Sequence, residues 1–243
     1  MNKGFIFLSV LVCLVFIQCA TPQLHNTQEA LVTRSVITST KGICIGNSTV
    51  AAYLGGAAVA SLLFTDEEIA KGYSCHSLAV PGHTIYQQLN AWKAYQDKDQ
   101  ADWIIIEIGL NDLKPTDALD ATLDRYQKLI DTINLTKKTG AKLLLATMTP
   151  CKQRLINIYK ENAMVSYKKW MAMNNAIMGK GPHAITGVDH RFNGHTIMLM
   201  DKAGNLKAEY EVPEKDRIHE NTAGRLIIAS HWRLALAAAG YLP

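Results

Sequence analysis

Short, unbroken apolar runs alternate along this chain with longer segments whose apolar residues recur every three or four positions. The runs predict buried strands at 43–45, 77–80, 103–108, 143–146 and 184–188. The run Trp103-Ile104-Ile105-Ile106-Glu107-Ile108 is nearly continuous, which means both faces are covered, as in a parallel sheet. The periodic segments predict helices. One, rich in Ala and Leu, spans 49–64. A short one opens at Thr65, a capping residue followed by Asp66, Glu67 and Glu68 in the first turn. Another covers 86–95. In the next, Leu119, Leu123, Tyr126, Ile130 and Ile133 share one face, Asp120, Asp124 and Lys128 the other, and Gly140 ends it. A long helical segment covers 152–178, with Met164, Trp170 and Met171 read as core. The last helix runs over 221–239 and stops at Gly240. Segments 196–200 and 206–210 flank Lys202-Ala203-Gly204-Asn205 and predict a hairpin.

Strands alternating with helices define an α/β protein with a mainly parallel five-stranded sheet. At 243 residues, 48% hydrophobic and 19% charged, the chain holds one sizeable domain with a proper core and is not disordered. The formal net charge of +4 is dispersed, without a Lys/Arg block, which excludes a nucleic-acid-binding surface.

The N-terminus stands apart. Lys3 precedes an apolar run over 4–17, and the pattern reads as an export signal over 1–20. The run is shorter than the about 20 residues a bilayer span needs. Cys19 is a candidate for lipidation, as in bacterial lipoproteins, and cleavage without lipidation is the alternative. Residues 21–40 are polar and aperiodic and read as a tether to the domain over 41–243. The destination is therefore secreted, periplasmic or membrane-anchored, with any membrane attachment through the N-terminus alone. Of five cysteines, Cys44, Cys75 and Cys151 lie beyond the signal, beside apolar stretches, and read as free buried thiols. No Cys or His spacing suits a metal, and no cofactor is expected.

Four loops near strand ends carry the candidate chemistry. Gly46-Asn47-Ser48-Thr49 follows the first strand and offers a serine at the rim of the sheet, where open α/β folds bind ligands. Serine is a weak nucleophile and needs a base. Asp216-Arg217-Ile218-His219 supplies one: His219 titrates near working pH, and a carboxylate three residues earlier can fix its tautomer. The backbone N–H groups of Ser48 and Gly82 and the Asn111 amide are candidate donors to an oxyanion. Arg217 and His83 are candidate substrate contacts. His83 is also a rival base, but no carboxylate lies at a short fixed spacing from it. Asn111-Asp112 has a blander reading as a turn before a helix.

These blocks resemble those of the SGNH hydrolases, also called GDSL esterases and lipases. The matches are Gly46-Asn47-Ser48-Thr49, Gly82, Gly109-Leu110-Asn111-Asp112 and Asp216-Arg217-Ile218-His219, in that order, and the resemblance covers about 41 to the C-terminus. It implies a flavodoxin-like three-layer α/β/α sandwich and hydrolysis of carboxylic esters without metal or organic cofactor. Asn47 stands where Asp is usual in that family, Arg217 where a small residue is common, and Glu220 where Pro or an apolar residue is common. The signature Gly-x-Ser-x-Gly of the other large esterase fold is absent. The expected activity is that of an exported serine esterase forming an acyl-enzyme on Ser48. O-acetyl or other short-chain esters of glycans come first among its substrates and lipid or lysophospholipid esters second. A non-catalytic glycan-binding or surface module on the same fold is the rival from another class.

Overall fold

A computed structural model describes residues 39–242. The expected signal, most of the tether and Cys19 fall outside the described residues. Five parallel strands form one sheet in the order β2-β1-β3-β4-β5: β1 (Lys41–Gly46), β2 (Ser74–Ser77), β3 (Trp103–Glu107), β4 (Lys142–Ala146) and β5 (His190–Phe192). The helices are α1 (Asp66–Ala70), α2 (Ile85–Ala94), α3 (Leu119–Thr136), α4 (Lys152–Tyr159), α5 (Ala163–Ile177), α6 (Gly194–Leu199) and α7 (Thr222–Ala238).

Alternation along the strands divides the core in two. Ile43, Ile45, Ile104, Ile106, Leu143 and Leu145 face α2, α3 and α5 through Leu89, Trp92, Tyr126, Ile130, Trp170 and Met173. Cys44, Trp103, Ile105 and Leu144 face α7 through Ile228, Trp232 and Leu236. This is the flavodoxin-like three-layer sandwich. Strand order reverses at β1, where the chain first builds outward to β2 and then returns to β3. A crevice therefore opens at the carboxyl ends of β1 and β3, the place where doubly wound sheets bind ligands. Their register pairs Gly46 with Glu107, so the loops after both strands leave at the same level.

Several expectations change. Segment 49–64 is not a helix. It is a loop with a tight turn, in which Tyr53 and Gly56 exchange backbone hydrogen bonds of 3.2 and 3.0 Å, closed by a single turn at Val59–Leu62. Gly55 has φ +80°, and a Cβ on Gly56 would lie 2.4 Å from Arg225 Nε, so the glycines serve a close approach that a helix would not give. The second strand ends at Ser77, before most of 77–80, although Leu78 and Val80 still donate to Cys44 and Gly46 carbonyls. The segment 152–178 breaks at Lys160, whose φ of +48° ends α4, and α4 and α5 pack against each other.

The fifth strand is His190–Phe192 rather than 184–188. Ile185 is buried but donates to the Ala176 carbonyl, and Thr186 N–H bonds to Gln127, so this stretch braces helices instead of joining the sheet. The hairpin is reduced to one bridge, Met200 to Leu206. Its first arm is helical because His195, Thr196 and Leu199 are buried together, a helical spacing rather than an alternating one. Its turn survives: Asp201 accepts the Ala203 and Asn205 amides at 2.8 and 2.9 Å. Met164 and Met171 are exposed, and Met173 fills the core place instead. Cys44, Cys75 and Cys151 are free, the first and last buried and Cys75 half-buried.

Candidate active site

The site is built from three loops and a brace. The first loop leaves β1. Asn47 is buried, and its side-chain oxygen accepts the Thr49 amide at 3.0 Å and the Thr49 hydroxyl at 2.9 Å. Such a bond mimics a backbone turn and leaves Ser48 at the apex, half-buried. Asparagine makes this turn with its carbonyl oxygen, the atom an aspartate would also use.

The second loop carries Asp216 and His219. The bridge between Glu211 and Glu220 closes its base. Asp216 Oδ1 accepts the amides of Ile218 at 3.2 Å and His219 at 3.0 Å, which curls the chain so that Asp216 Oδ2 meets His219 Nδ1. His219 Nε2 then stands 2.7 Å from Ser48 Oγ, across 171 residues of sequence. Tyr53 covers the imidazole, with ring centroids 4.6 Å apart. Burial works against the Asp216 carboxylate, but the His219 amide and ring and the Ile218 amide outweigh it and hold its pKa below the ordinary value. Burial also lowers the His219 pKa; Asp216 pulls it up, and Arg225 and Arg154 push it down.

The third loop follows β3. Asn111 Nδ2 donates to the His83 carbonyl at 2.9 Å, and Asp112 Oδ2 accepts the Ile85 amide at 3.0 Å. Both bonds tie the loop to the start of α2 and to Gly82 just before it. Asn111-Asp112 is thus more than a turn before a helix. Burial pushes the Asp112 carboxyl up to about 6. Gly82 has φ +82° and open space where a Cβ would stand. Among the described residues no group accepts a hydrogen bond from the Ser48 or Gly82 amide, so both remain available to a ligand. An amide carries two N–H donors, and Asn111 spends only one on His83.

Ser48, Gly82, Asn111 and His219 line one cleft of about 1030 Å³, together with Tyr53, Tyr86, Lys114, Arg154 and Tyr159. The two candidate substrate contacts are not among its lining residues. Arg217, at φ +68°, gives its amide (2.6 Å) and its guanidinium (3.2 Å) to Glu211 and lines a separate surface pocket. The His83 ring lies 3.3 Å from Gln88 Nε2, and this residue contributes its carbonyl to the site. No group of three or more His, Cys, Asp or Glu among the described residues is placed to hold a metal ion.

The brace is Arg225, in the first turn of α7 and fully buried. It donates to the Ser48 carbonyl at 2.9 Å, to Ala57 at 2.8 Å, to Glu220 at 3.1 Å and to Ala51. One guanidinium thus satisfies carbonyls of the irregular segment 49–64 and holds the serine loop from behind. Sequence reading overlooked it, although its signal is present: Arg225 shares a helical face with Ile228, Ala229 and Trp232, where an apolar residue is expected.

The doubly wound fold and the serine–histidine–aspartate chain at its switch point define a protein built to activate a hydroxyl. In this geometry His219 can take the Ser48 proton while Asp216 steadies the resulting charge. The chain belongs to the GDSL-like Lipase/Acylhydrolase family, whose profile matches residues 43–232, and is an ester-bond hydrolase. No curated protein matches the sequence. Similar folds include the lipase/acylhydrolase from Enterococcus faecalis, 16% identical, covering 82% of this chain and 96% of that one, with a TM-score of 0.58. A GDSL-like lipase from Bacteroides thetaiotaomicron is 16% identical, with 82% and 89% covered and a TM-score of 0.55. A catalytic mutant of an acetylxylan esterase from Geobacillus stearothermophilus is also 16% identical, with 84% and 96% covered and a TM-score of 0.52.

Proposed function

We propose that the protein is an exported serine esterase that hydrolyses carboxylic esters through an acyl-enzyme on Ser48. The observation that carries this reading is the 2.7 Å contact of His219 Nε2 with Ser48 Oγ, with Asp216 on the other ring nitrogen. His219 removes the Ser48 proton as Oγ attacks the ester carbonyl. The Ser48 and Gly82 amides and the free N–H of Asn111 face the oxyanion. The alcohol leaves with the proton from His219, and water activated by the same base releases the acid.

Short acyl esters of glycans are the favoured substrates. Tyr53 and Tyr86 line the cleft with exposed rings on which a sugar can stack, and the acetylxylan esterase shares the fold. Export rests on the sequence of residues 1–20, and attachment through Cys19 is one form of it.

Ser48→Ala should lose nearly all ester turnover and keep its fold, and His219→Ala should cost about as much, because such units act non-additively. Labelling with a fluorophosphonate, then peptide mapping, checks the assignment. The adduct should sit on Ser48 and vanish in His219→Ala. Vigorous turnover by Ser48→Ala would remove the proposal.

A further inference from the structure

Two cations in the cleft make no side-chain hydrogen bond or ion pair among the described residues, although the Lys114 charge is felt by the buried Asp112 carboxyl. Lys114 and Arg154 both line it beside Ser48 and His219. Among the described residues neither has a carboxylate within ion-pair distance. The arginines outside the cleft but close to its loops are spent: Arg217 on Glu211, Arg225 on backbone carbonyls. An unpaired surface cation is ordinarily just solvated. Two features set this pair apart.

Lys114 stands on a fixed loop. The ammonium of Lys169, 9% exposed, donates to the carbonyls of Lys114, Pro115 (3.0 Å) and Asp117. A second lysine is thus committed to holding the backbone from which the first reaches out. Arg154 lies in the first turn of α4, which has no acidic residue and whose Cys151 cap makes no side-chain hydrogen bond. A cation there opposes the helix dipole, so its placement weakens α4 unless an anion meets it. Arg154 also shares the cleft lining with His219 and Tyr159, and its charge pushes the His219 pKa down.

We propose that Lys114 and Arg154 form an anion-binding subsite, so that the preferred ester carries a carboxylate or phosphate group next to the bond cleaved. The guanidinium matches either group with two parallel hydrogen bonds, and the ammonium adds a point charge. Either an acidic sugar or a phosphoglycerol headgroup offers this chemistry. The inference rests on Ser48 as the nucleophile of this cleft.

Three acetyl esters test it: of methyl glucoside, of methyl glucuronoside and of glycerol 3-phosphate. For the native protein, kcat/KM for one anionic ester should exceed that of the neutral ester about tenfold or more, mainly through KM. Which anionic ester leads identifies the source of the charge. The advantage should shrink in about 0.5 M salt. It should fall about tenfold in Lys114→Gln and Arg154→Gln, and Arg154→Lys should recover only part of it. Circular dichroism and thermal melting establish that the variants are folded. Equal rates on all three esters, or equal losses on all three in the variants, would overturn the subsite. Calorimetric titration of Ser48→Ala with the same esters reads binding without turnover, and equal affinity for charged and neutral esters would overturn it too. A failed nucleophile looks different: no ester is cleaved and no fluorophosphonate adduct forms on Ser48.

Discussion

His219 sits between opposing influences. Burial takes its pKa below 6.5, Arg225 and Arg154 push the same way, and Asp216 resists. A lowered pKa keeps the base neutral, and therefore able to accept the Ser48 proton, into mildly acidic solution. The pH dependence of kcat/KM should accordingly rise through an apparent pKa below 6.5 and be flat through neutrality. A midpoint above 7 would show that the Asp216 contact outweighs burial in the working protein. Arg217, beside this histidine in sequence, has a different task. Few non-glycine residues hold φ near +68°, and the Glu211 carboxylate grips both the amide and the guanidinium of Arg217 to keep it there. Its charge stabilises the acid–base loop rather than facing the cleft.

At the scale of elements, the loop that replaces a predicted helix has the greatest consequence. Its backbone carbonyls would be unsatisfied in a buried position, and Arg225 of α7 supplies their donors. Lysine has one ammonium where arginine has a planar fork and cannot reach the same carbonyls at once. Arg225→Lys should therefore destabilise the protein by about 3 kcal/mol, the range expected when a buried hydrogen-bond network is broken. It should also lower kcat, because the Ser48 carbonyl loses its anchor. Urea unfolding beside steady-state kinetics checks both, and a change within about 0.5 kcal/mol would mean that the loop holds itself. The elements that sequence reading placed well, α3, β1, β3 and β4, have cores that dictate their period. Those it misplaced take their shape from contacts distant in sequence: Arg225 under 49–64, and Ala176 and Gln127 on 184–188. The four site blocks were legible because Asp216 and His219 lie close in sequence and the others lie at or near strand ends. Lys114, Arg154 and Tyr53 were not, because they join the cleft only through folding.

For the whole molecule, the notable feature is an ionisable cluster between the sheet and α7. Glu107, His195, Glu220 and Arg225 are each about 1% exposed or less. Glu107 Oε2 lies 3.3 Å from His195 Nε2, which also meets the Thr147 carbonyl at 2.8 Å. Neither Glu220 carboxylate oxygen meets a hydrogen-bond partner among the described residues. Burial, with Glu107 adding to it, pushes the Glu220 carboxyl from 4.5 up to about 8 against the pull of Arg225 and Thr149. Between those values the native state keeps a proton that the unfolded chain has released. Stability is then fully present below the lower value and falls as pH rises toward the upper one, on the order of 5 kcal/mol across the window. Glu220→Gln stays neutral throughout and should remove most of that decline. Urea midpoints of both proteins at acidic, neutral and alkaline pH test it: curves that diverge with rising pH are expected, and parallel curves would place the titration elsewhere.

The brace from α7 to the serine loop also bears on how the protein is made. Synthesis runs from the N-terminus, so Ser48 leaves the ribosome long before its partners. The histidine that activates it follows 171 residues later, and the arginine that anchors its loop 177 later. A nascent or truncated chain that ends before Asp216 can pair β1 with β3 and still have no activated hydroxyl. The completed chain must close that long loop before the site exists, a step whose entropy cost grows only slowly with length. Ester-cleaving chemistry therefore switches on only once Asp216 and His219 have been made and folded onto Ser48, and a copy that stops short of them is chemically silent.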